Sequence, residues 1–295
     1  MRLKDALTGG IGKLTIANVP SPRLNAETLL MFTLASDRAY LYAHPERELT
    51  TEEMTRYHEA LDQRTKGVPT QYITGHQEFW GLDFLVSPAV LIPRPETEHA
   101  VETALHLLME ANARRPRILD VGTGSGCIAL ALASELPQAE IHASDVSPAA
   151  LEIAEANAAR LEMSERVQFH ESDLLTKIPP ELSFDLIISN PPYVAERDAD
   201  SVEAQVRRFE PHDAVFGGQT GTDIYQRLIP QARERLAANG WLVIEIGAGM
   251  EDELRELLDG WEEIGAVADL QGIPRVIAAR KPRILPLIDA DLGRS

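Results

Sequence analysis

From Arg117 onward, five short apolar runs recur between helical stretches: Ile118 to Val121, Ile141 to Ser144, Val167 to His170, Leu186 to Ser189 and Trp241 to Ile246. Strands that alternate with helical segments predict a doubly wound α/β sheet, because parallel neighbours are joined by helical crossovers. Helix punctuation agrees: Ser147-Pro148 opens one helix, since proline suits a first turn, and Asn239-Gly240 is expected to close another. At 295 residues the chain exceeds the usual single-domain size. A second, smaller module is therefore expected beside the sheet.

That module precedes the sheet. Residues 1–70 read as all-helical, with apolar positions such as Leu29, Leu30, Phe32 and Leu34 and breaks at Pro20-Ser21-Pro22 and His44-Pro45. Such a domain can dock a partner or simply cap the structure. Between 71 and 98 the texture turns extended, through Tyr72, Ile73, Phe79, Trp80, Leu82, Phe84 and Val86, with Gly81-Leu82-Asp83 as the expected turn of a hairpin linker. The two prolines of Leu91-Ile92-Pro93-Arg94-Pro95-Glu96-Thr97-Glu98 stiffen the chain, and the acidic residues suit the start of the next helix. The α/β domain is expected over 99–282, followed by a tail at 283–295 to which the sequence assigns no partner.

The strand-to-helix turn Asp120-Val121-Gly122-Thr123-Gly124-Ser125-Gly126 has the context of a nucleotide-binding loop. Glycines there permit a sharp turn and a close ligand approach, because no β-carbon intervenes. The last glycine falls one position earlier than in the usual dinucleotide spacing, which points away from NAD. An acidic Asp120 suits the ammonium of an amino-acid portion better than a pyrophosphate, so S-adenosyl-L-methionine is the expected cofactor, bound by Gly122, Thr123, Gly124, Ser125 and Gly126. Asp145, at the end of the next strand, can accept both ribose hydroxyls, and Asp173 ends a third strand where it can border the adenine; either can instead cap a helix.

The most specific signal is Asn190-Pro191-Pro192-Tyr193, directly after the strand ending at Ser189. A planar nitrogen has its lone pair delocalised, so methylating it requires two acceptors that hold its N–H groups. The Asn190 side-chain oxygen and the Pro191 carbonyl can supply them, making Asn190 and Pro191 the expected catalytic residues. Proline fixes φ at both positions, and Tyr193 can pack on the planar group. Positioning alone is worth up to roughly 7–11 kcal/mol, so neither a metal nor a Ser-His-Asp arrangement is required.

These motifs, with the helical N-terminal module and the segment Ile92 to Glu98, resemble the PrmC (HemK) family of release factor glutamine methyltransferases over nearly the whole chain. The resemblance implies a class I methyltransferase (Rossmann-like) domain joined by a hairpin to a small helical domain. It implies cofactor contacts at Gly122 to Gly126, Asp145, Leu174 and Asn190, and glutamine binding by Asn190 to Tyr193. Relatives often carry an aromatic ring where Leu174 stands; leucine keeps the apolar contact and loses the stacking. Arg208-Phe209-Glu210-Pro211 and Phe216-Gly217-Gly218 resemble the family's segment that closes over the site. Gly217-Gly218-Gln219 also spells the tripeptide that the family's substrates present for methylation, and is read here as a loop.

Charge bears on the rival readings. With 46 acidic and 28 basic residues the net charge is −18, which disfavours direct nucleic-acid binding, although an exocyclic amino group of adenine or cytosine, or another protein glutamine, offers Asn190 the same kind of nitrogen. An NAD-dependent oxidoreductase lacks its glycine spacing, and a scaffold without chemistry would not need intact motifs. Cys127, the only cysteine, cannot form an intrachain disulfide and is read as a packing residue. The start of the chain carries neither a signal peptide nor a membrane anchor pattern. A cytoplasmic enzyme of protein methylation and translation termination is the expectation.

Overall fold

The computed structural model describes residues 1–282. The tail expected at 283–295 lies outside the described residues. Four helices, α1 (Leu3–Ile16), α2 (Pro22–Leu34), α3 (Arg38–Ala43) and α4 (Thr51–Thr65), form an N-terminal bundle, followed by the short α5 (Thr70–Thr74). Leu3, Leu14, Leu29, Leu30, Tyr57 and Leu61 make up its separate core. The start of α4 is fixed by a reciprocal pair: the Thr50 hydroxyl accepts from Glu53 N–H, and the Glu53 carboxylate accepts from Thr50 N–H.

A hairpin of β1 (His76–Phe79) and β2 (Leu82–Leu85) follows. Its turn falls at Trp80-Gly81, one position earlier than the sequence suggests. Both residues have positive φ, 55° and 68°, the geometry that matches the twist of a two-residue hairpin turn, and Leu82 already belongs to the strand. A single turn of 3₁₀ helix at Pro95–Thr97 then leads into α6 (Glu98–Glu110).

The α/β domain comprises β3 (Arg117–Val121), α7 (Cys127–Glu135), β4 (Glu140–Asp145), α8 (Pro148–Arg160), β5 (Val167–Glu171), β6 (Phe184–Ser189), α9 (Ala204–Phe209), α10 (His212–Val215), α11 (Asp223–Arg235), β7 (Leu236–Glu245), α12 (Glu251–Leu257), β8 (Glu262–Ala268) and β9 (Pro274–Arg280). The sheet order is β5-β4-β3-β6-β7-β9-β8, with β5 to β7 parallel and β9 alone reversed, antiparallel to both its neighbours β7 and β8. The five apolar runs are those five parallel strands, and their side chains feed one core on each face of the sheet. The side chain of Ser147 caps α8 by accepting Ala150 N–H, as Ser147-Pro148 predicts. Asn239-Gly240, however, closes no helix. The preceding helix ends at Arg235, and Asn239, with φ 63°, lies inside β7, where the register against β6 shifts between Phe184 and Leu186. A left-handed residue serves a bulge as readily as a helix end.

Strand order reverses between β3 and β6, since β3 leads to β4 on one side and β6 lies on the other. Open α/β sheets bind ligands at the carboxyl ends of the strands flanking such a reversal. Both of the motifs singled out above fall there.

Candidate active site

A cavity of about 320 Å³ opens at the carboxyl ends of β3, β4 and β6. Its floor is the loop after β3. Gly122 and Thr123 N–H both donate to the Ser144 carbonyl at 2.8 and 2.9 Å, which folds the loop back over β4. Gly122 and Gly124 have φ of 72° and 55°, and a β-carbon at either would meet nothing within 4 Å, so their faces are open to a ligand. Gly126 has a different task. It does not line the cavity; it precedes α7, and a β-carbon there would press to 3.2 Å from Ala154 Cβ and from Leu130.

Asp120 is fully buried behind this loop instead of facing a ligand's ammonium. One carboxylate oxygen accepts the Thr123 hydroxyl at 2.6 Å and Ala129 N–H at 3.2 Å, so the side chain braces the loop against α7. The other oxygen has no partner, and burial pushes the carboxyl up to about 7. Cys127 lines the cavity, and burial pushes its thiol up to about 12, favouring the protonated, unreactive form.

Asp145 lines the cavity with both oxygens held from below: one accepts Gly124 N–H and the other Ser147 N–H, each at 2.9 Å. Burial raises its pKa, against the lowering effect of these bonds. Each oxygen keeps acceptor capacity for a diol. Val146, Asp173 and Leu174 make the adjoining wall. The Asp173 carboxylate pairs with Arg227 on α11 at 2.5 Å, while Leu174 adopts φ 51° and packs partly on the core. The donor set therefore fits S-adenosylmethionine: open amides on the loop, a preset carboxylate for a ribose and an apolar wall for a base.

Asn190, Pro191 and Pro192 line the other end. The Ser189 hydroxyl donates to the Val121 carbonyl at 2.7 Å and locks the ends of β3 and β6 together, fixing where the turn starts. Asn190 Nδ2 donates to the Thr97 hydroxyl oxygen at 3.0 Å, which leaves Oδ1 as the free acceptor. Tyr193 does not line the cavity. Its ring packs on Gly247, where a β-carbon would stand 2.9 Å from Cδ2, and burial pushes its hydroxyl up to about 12. The turn is braced from behind by the segment after α10: Gly217 N–H donates to the Val194 carbonyl, and Glu196 N–H to the Gly218 carbonyl, each at 2.9 Å. A β-carbon at Gly217 would overlap the Pro192 carbonyl oxygen, so this glycine of the Gly-Gly-Gln tripeptide is required by packing.

The linker and the segment after the turn close the cavity from above, through Leu91, Pro93, Arg94, Pro211 and His212. Glu210, whose side chain is fully buried, joins the two. It accepts Ile92 N–H at 3.1 Å and pairs with Arg94 at 2.5 Å. Sequence reasoning missed Asn157, and it quoted Thr97, Glu210 and Gly217 only as members of segments, without roles of their own. The close approach at Gly217 leaves no trace in one sequence beyond the glycine itself. Among the described residues no group of three or more His, Cys, Asp or Glu is placed to hold a metal, and no helix is long and apolar enough to cross a membrane.

Sheet order, loop and preset carboxylate together define a class I methyltransferase, an enzyme that uses S-adenosyl-L-methionine. Residues 5–75 match the PrmC N-terminal domain and residues 97–209 the methyltransferase small domain. The chain is 56% identical over 282 residues to the release factor glutamine methyltransferase of Koribacter versatilis, covering 96% of this chain and 99% of that one. It is 40% identical to the enzyme of that name from Geobacter sulfurreducens, over 91% of this chain and 93% of the other. The chain belongs to the release factor glutamine methyltransferase family. Among solved structures, the hMettl16 catalytic domain in complex with a MAT2A 3′UTR hairpin superposes with a TM-score of 0.56 at 18% identity, covering 77% of this chain and 84% of that one. That likeness is one of fold alone.

Proposed function

We propose that this protein methylates the side-chain amide nitrogen of the glutamine in the Gly-Gly-Gln motif of peptide chain release factors. The observation that carries the reading is the orientation of Asn190: with Nδ2 engaged by Thr97, Oδ1 is the acceptor left at the cavity, beside Pro191. When bound, S-adenosylmethionine supplies a methyl on a positively charged sulfur, which leaves as a neutral thioether as the amide nitrogen takes the methyl. Asn190 Oδ1 and the Pro191 carbonyl each accept one amide N–H and turn the nitrogen's face toward the methyl. Gly122 to Ser125 and Asp145 hold the donor, with Asp173 and Leu174 at its adenine. Pro192 fixes the turn, and Tyr193 fills the space behind it. The nitrogen's extra proton passes to solvent after transfer.

The helical domain at 1–70 is the proposed docking module. Gly67, just after α4, lies against Phe209 of α9, two residues before Pro211 of the cavity roof. A cytoplasmic location accords with a release-factor substrate. Net charge of −18 weighs against the rival substrate, a base amino group in nucleic acid.

Mass spectrometry of a purified release factor after incubation with this protein and cofactor tests the reading. One added methyl on the Gly-Gly-Gln glutamine is the expected result; transfer to nucleic acid with none to the factor overturns it. Asn190→Ala is expected to bind S-adenosylmethionine normally and to lose roughly two to three orders of magnitude in rate, as for loss of a preorganised catalytic hydrogen bond. An unchanged rate would refute the role of Asn190.

A further inference from the structure

The amino-acid portion of S-adenosylmethionine ends in a carboxylate, and a carboxylate drawn from water into a cavity needs a cation or several hydrogen-bond donors. Among the described residues that line the cavity, Arg94 is the only lysine or arginine. His212 is the other basic side chain there, and its two ring nitrogens already face Glu196 and Asp213, each at 3.4 Å. Asp145, Asp173 and Asp213 also line the cavity, and all three repel an anion. Charge therefore singles out Arg94.

Position agrees with charge. The Arg94 carbonyl accepts Thr97 N–H at 3.1 Å, closing the single 3₁₀ turn, and the Thr97 hydroxyl accepts Asn190 Nδ2 at 3.0 Å. Arg94 is thus tied, through one turn, to the residue beside which the methyl is transferred. One sulfur bears the methyl, the ribose and the amino-acid chain. With the ribose at Asp145 and the methyl toward Asn190, a carboxylate held a short carbon chain from that sulfur falls at the Asn190 end, near Arg94 and away from the carboxylate of Asp145.

The guanidinium is already oriented. Arg94 Nη2 donates to the fully buried side chain of Glu210 at 2.5 Å, and the other oxygen of that carboxylate accepts Ile92 N–H at 3.1 Å. Among the described residues neither Nε nor Nη1 of Arg94 has a partner, and 31% of the side chain is exposed. The planar fork of an arginine can serve two carboxylates at once, and one pinned by the first loses little further freedom on taking the second. We propose that Arg94, held by Glu210, is a cofactor-binding residue that takes the carboxylate of the amino-acid portion of S-adenosylmethionine. A bound cofactor then joins the Arg94–Glu210 pair and fastens the roof above itself. The inference rests on the cavity holding S-adenosylmethionine and is independent of which nitrogen is methylated.

The test is binding calorimetry on the full chain without any methyl acceptor, using three probes. S-adenosylmethionine and S-adenosylhomocysteine both carry the carboxylate, and decarboxylated S-adenosylmethionine lacks that group alone. The wild type is expected to prefer S-adenosylmethionine over its decarboxylated form by roughly 10- to 100-fold, as for loss of a hydrogen-bonded charged group. Arg94→Met should weaken S-adenosylmethionine and S-adenosylhomocysteine alike and bring that preference to within about threefold of unity, and Arg94→Lys, which keeps charge but not the fork, should fall between. Because Arg94→Met strands the buried Glu210 carboxylate and can loosen the roof, the double variant Arg94→Met/Glu210→Gln is measured beside it. Its preference should be lost in the same way, since the comparison of two ligands within one protein cancels a general change in the roof. A preference that persists in both variants, or a wild type that shows none, overturns the role of Arg94. Equal weakening of all three probes with the preference intact would make Arg94 a structural member of the roof only. If the wild type binds none of them, the cofactor assignment fails and the inference with it, whereas the release-factor reading is decided separately, by the mass of the treated factor.

Discussion

Asn157 is the residue whose loss should reach furthest from its own position. It sits on α8 with no exposed surface and makes three backbone contacts: Oδ1 accepts Leu85 N–H at 2.6 Å, and Nδ2 donates to the Leu85 carbonyl at 3.0 Å and the Ser125 carbonyl at 2.9 Å. One amide thus ties the end of the hairpin and the cofactor loop to the same helix. Asn157→Leu keeps the approximate volume and strands all three backbone groups. A buried backbone group without its partner costs about 1–3 kcal/mol. The Ser125 carbonyl should bear that in full, whereas water can reach part of the half-buried Leu85 pair, so a total near 3 kcal/mol is expected. At about 2–4 °C per kcal/mol for a domain of this size, the melting temperature should fall by roughly 6–12 °C. Circular dichroism melts measure this directly. Cofactor affinity, measured by calorimetry below the transition, should drop about tenfold because the loop loses an anchor. Asn157→Asp separates the contacts: it keeps the acceptor for Leu85 N–H but sets a carboxylate against two carbonyls, and should melt no higher than the leucine variant. Melts of Asn157→Leu within about 2 °C of wild type would show that these bonds are not what holds hairpin and loop together.

Two further substitutions probe the loop and the turn. Gly217→Ala forces a β-carbon onto the Pro192 carbonyl oxygen and within 2.8 Å of the Gly221 carbonyl oxygen, displacing the Asn-Pro-Pro-Tyr turn. It should cut kcat by roughly 100-fold, since ångström-scale misplacement has that effect, while cofactor affinity is unchanged; retained kcat would mean the turn tolerates the shift. Asp120→Asn concerns pH. The folded pKa of about 7 lies above the ordinary 3.8, so between those values the folded state holds the extra proton and wild-type stability falls as pH rises, by an amount on the order of 4 kcal/mol once the group is ionised. An asparagine in its place cannot ionise, so the variant should gain on the wild type in chemical denaturation between pH 5 and pH 8. A constant difference across that range would place the Asp120 titration elsewhere.

What was legible in the sequence and what was not divide along a physical line. Strands β3, β4, β6 and β7 declare themselves because two-sided burial leaves a run of buried, mostly apolar residues, whereas the edge strand β5, with only Val167 buried, is legible from its place in the alternation of strands and helices. The pair β8–β9 went unseen because β8 is an edge strand with exposed positions and Glu262 and Glu263 at its start, and its register shifts between Glu262 and Gly265. Turn chemistry is ambiguous in the same way: Asn239-Gly240 reads as a helix end, yet helix α11 stops at Arg235 and the left-handed residue is spent inside a strand. At the site, the elements that carry a ligand are local and therefore readable, as glycines at fixed spacing or a rigid Asn-Pro-Pro-Tyr turn. Their supports are not local. Thr97 holds Asn190 across 93 positions, Asn157 holds Leu85 across 72, and Glu210 holds Ile92 across 118. Periodicity and spacing encode which face of an element is buried, but carry no record of which distant residue will meet it. Gly217-Gly218-Gln219 shows the hazard of reading such a segment by its letters. The tripeptide matches a methylation target, whereas its first glycine is fixed by the Pro192 carbonyl oxygen behind the turn. Only the fold, by bringing those two segments together, distinguishes a substrate-like word from a structural brace.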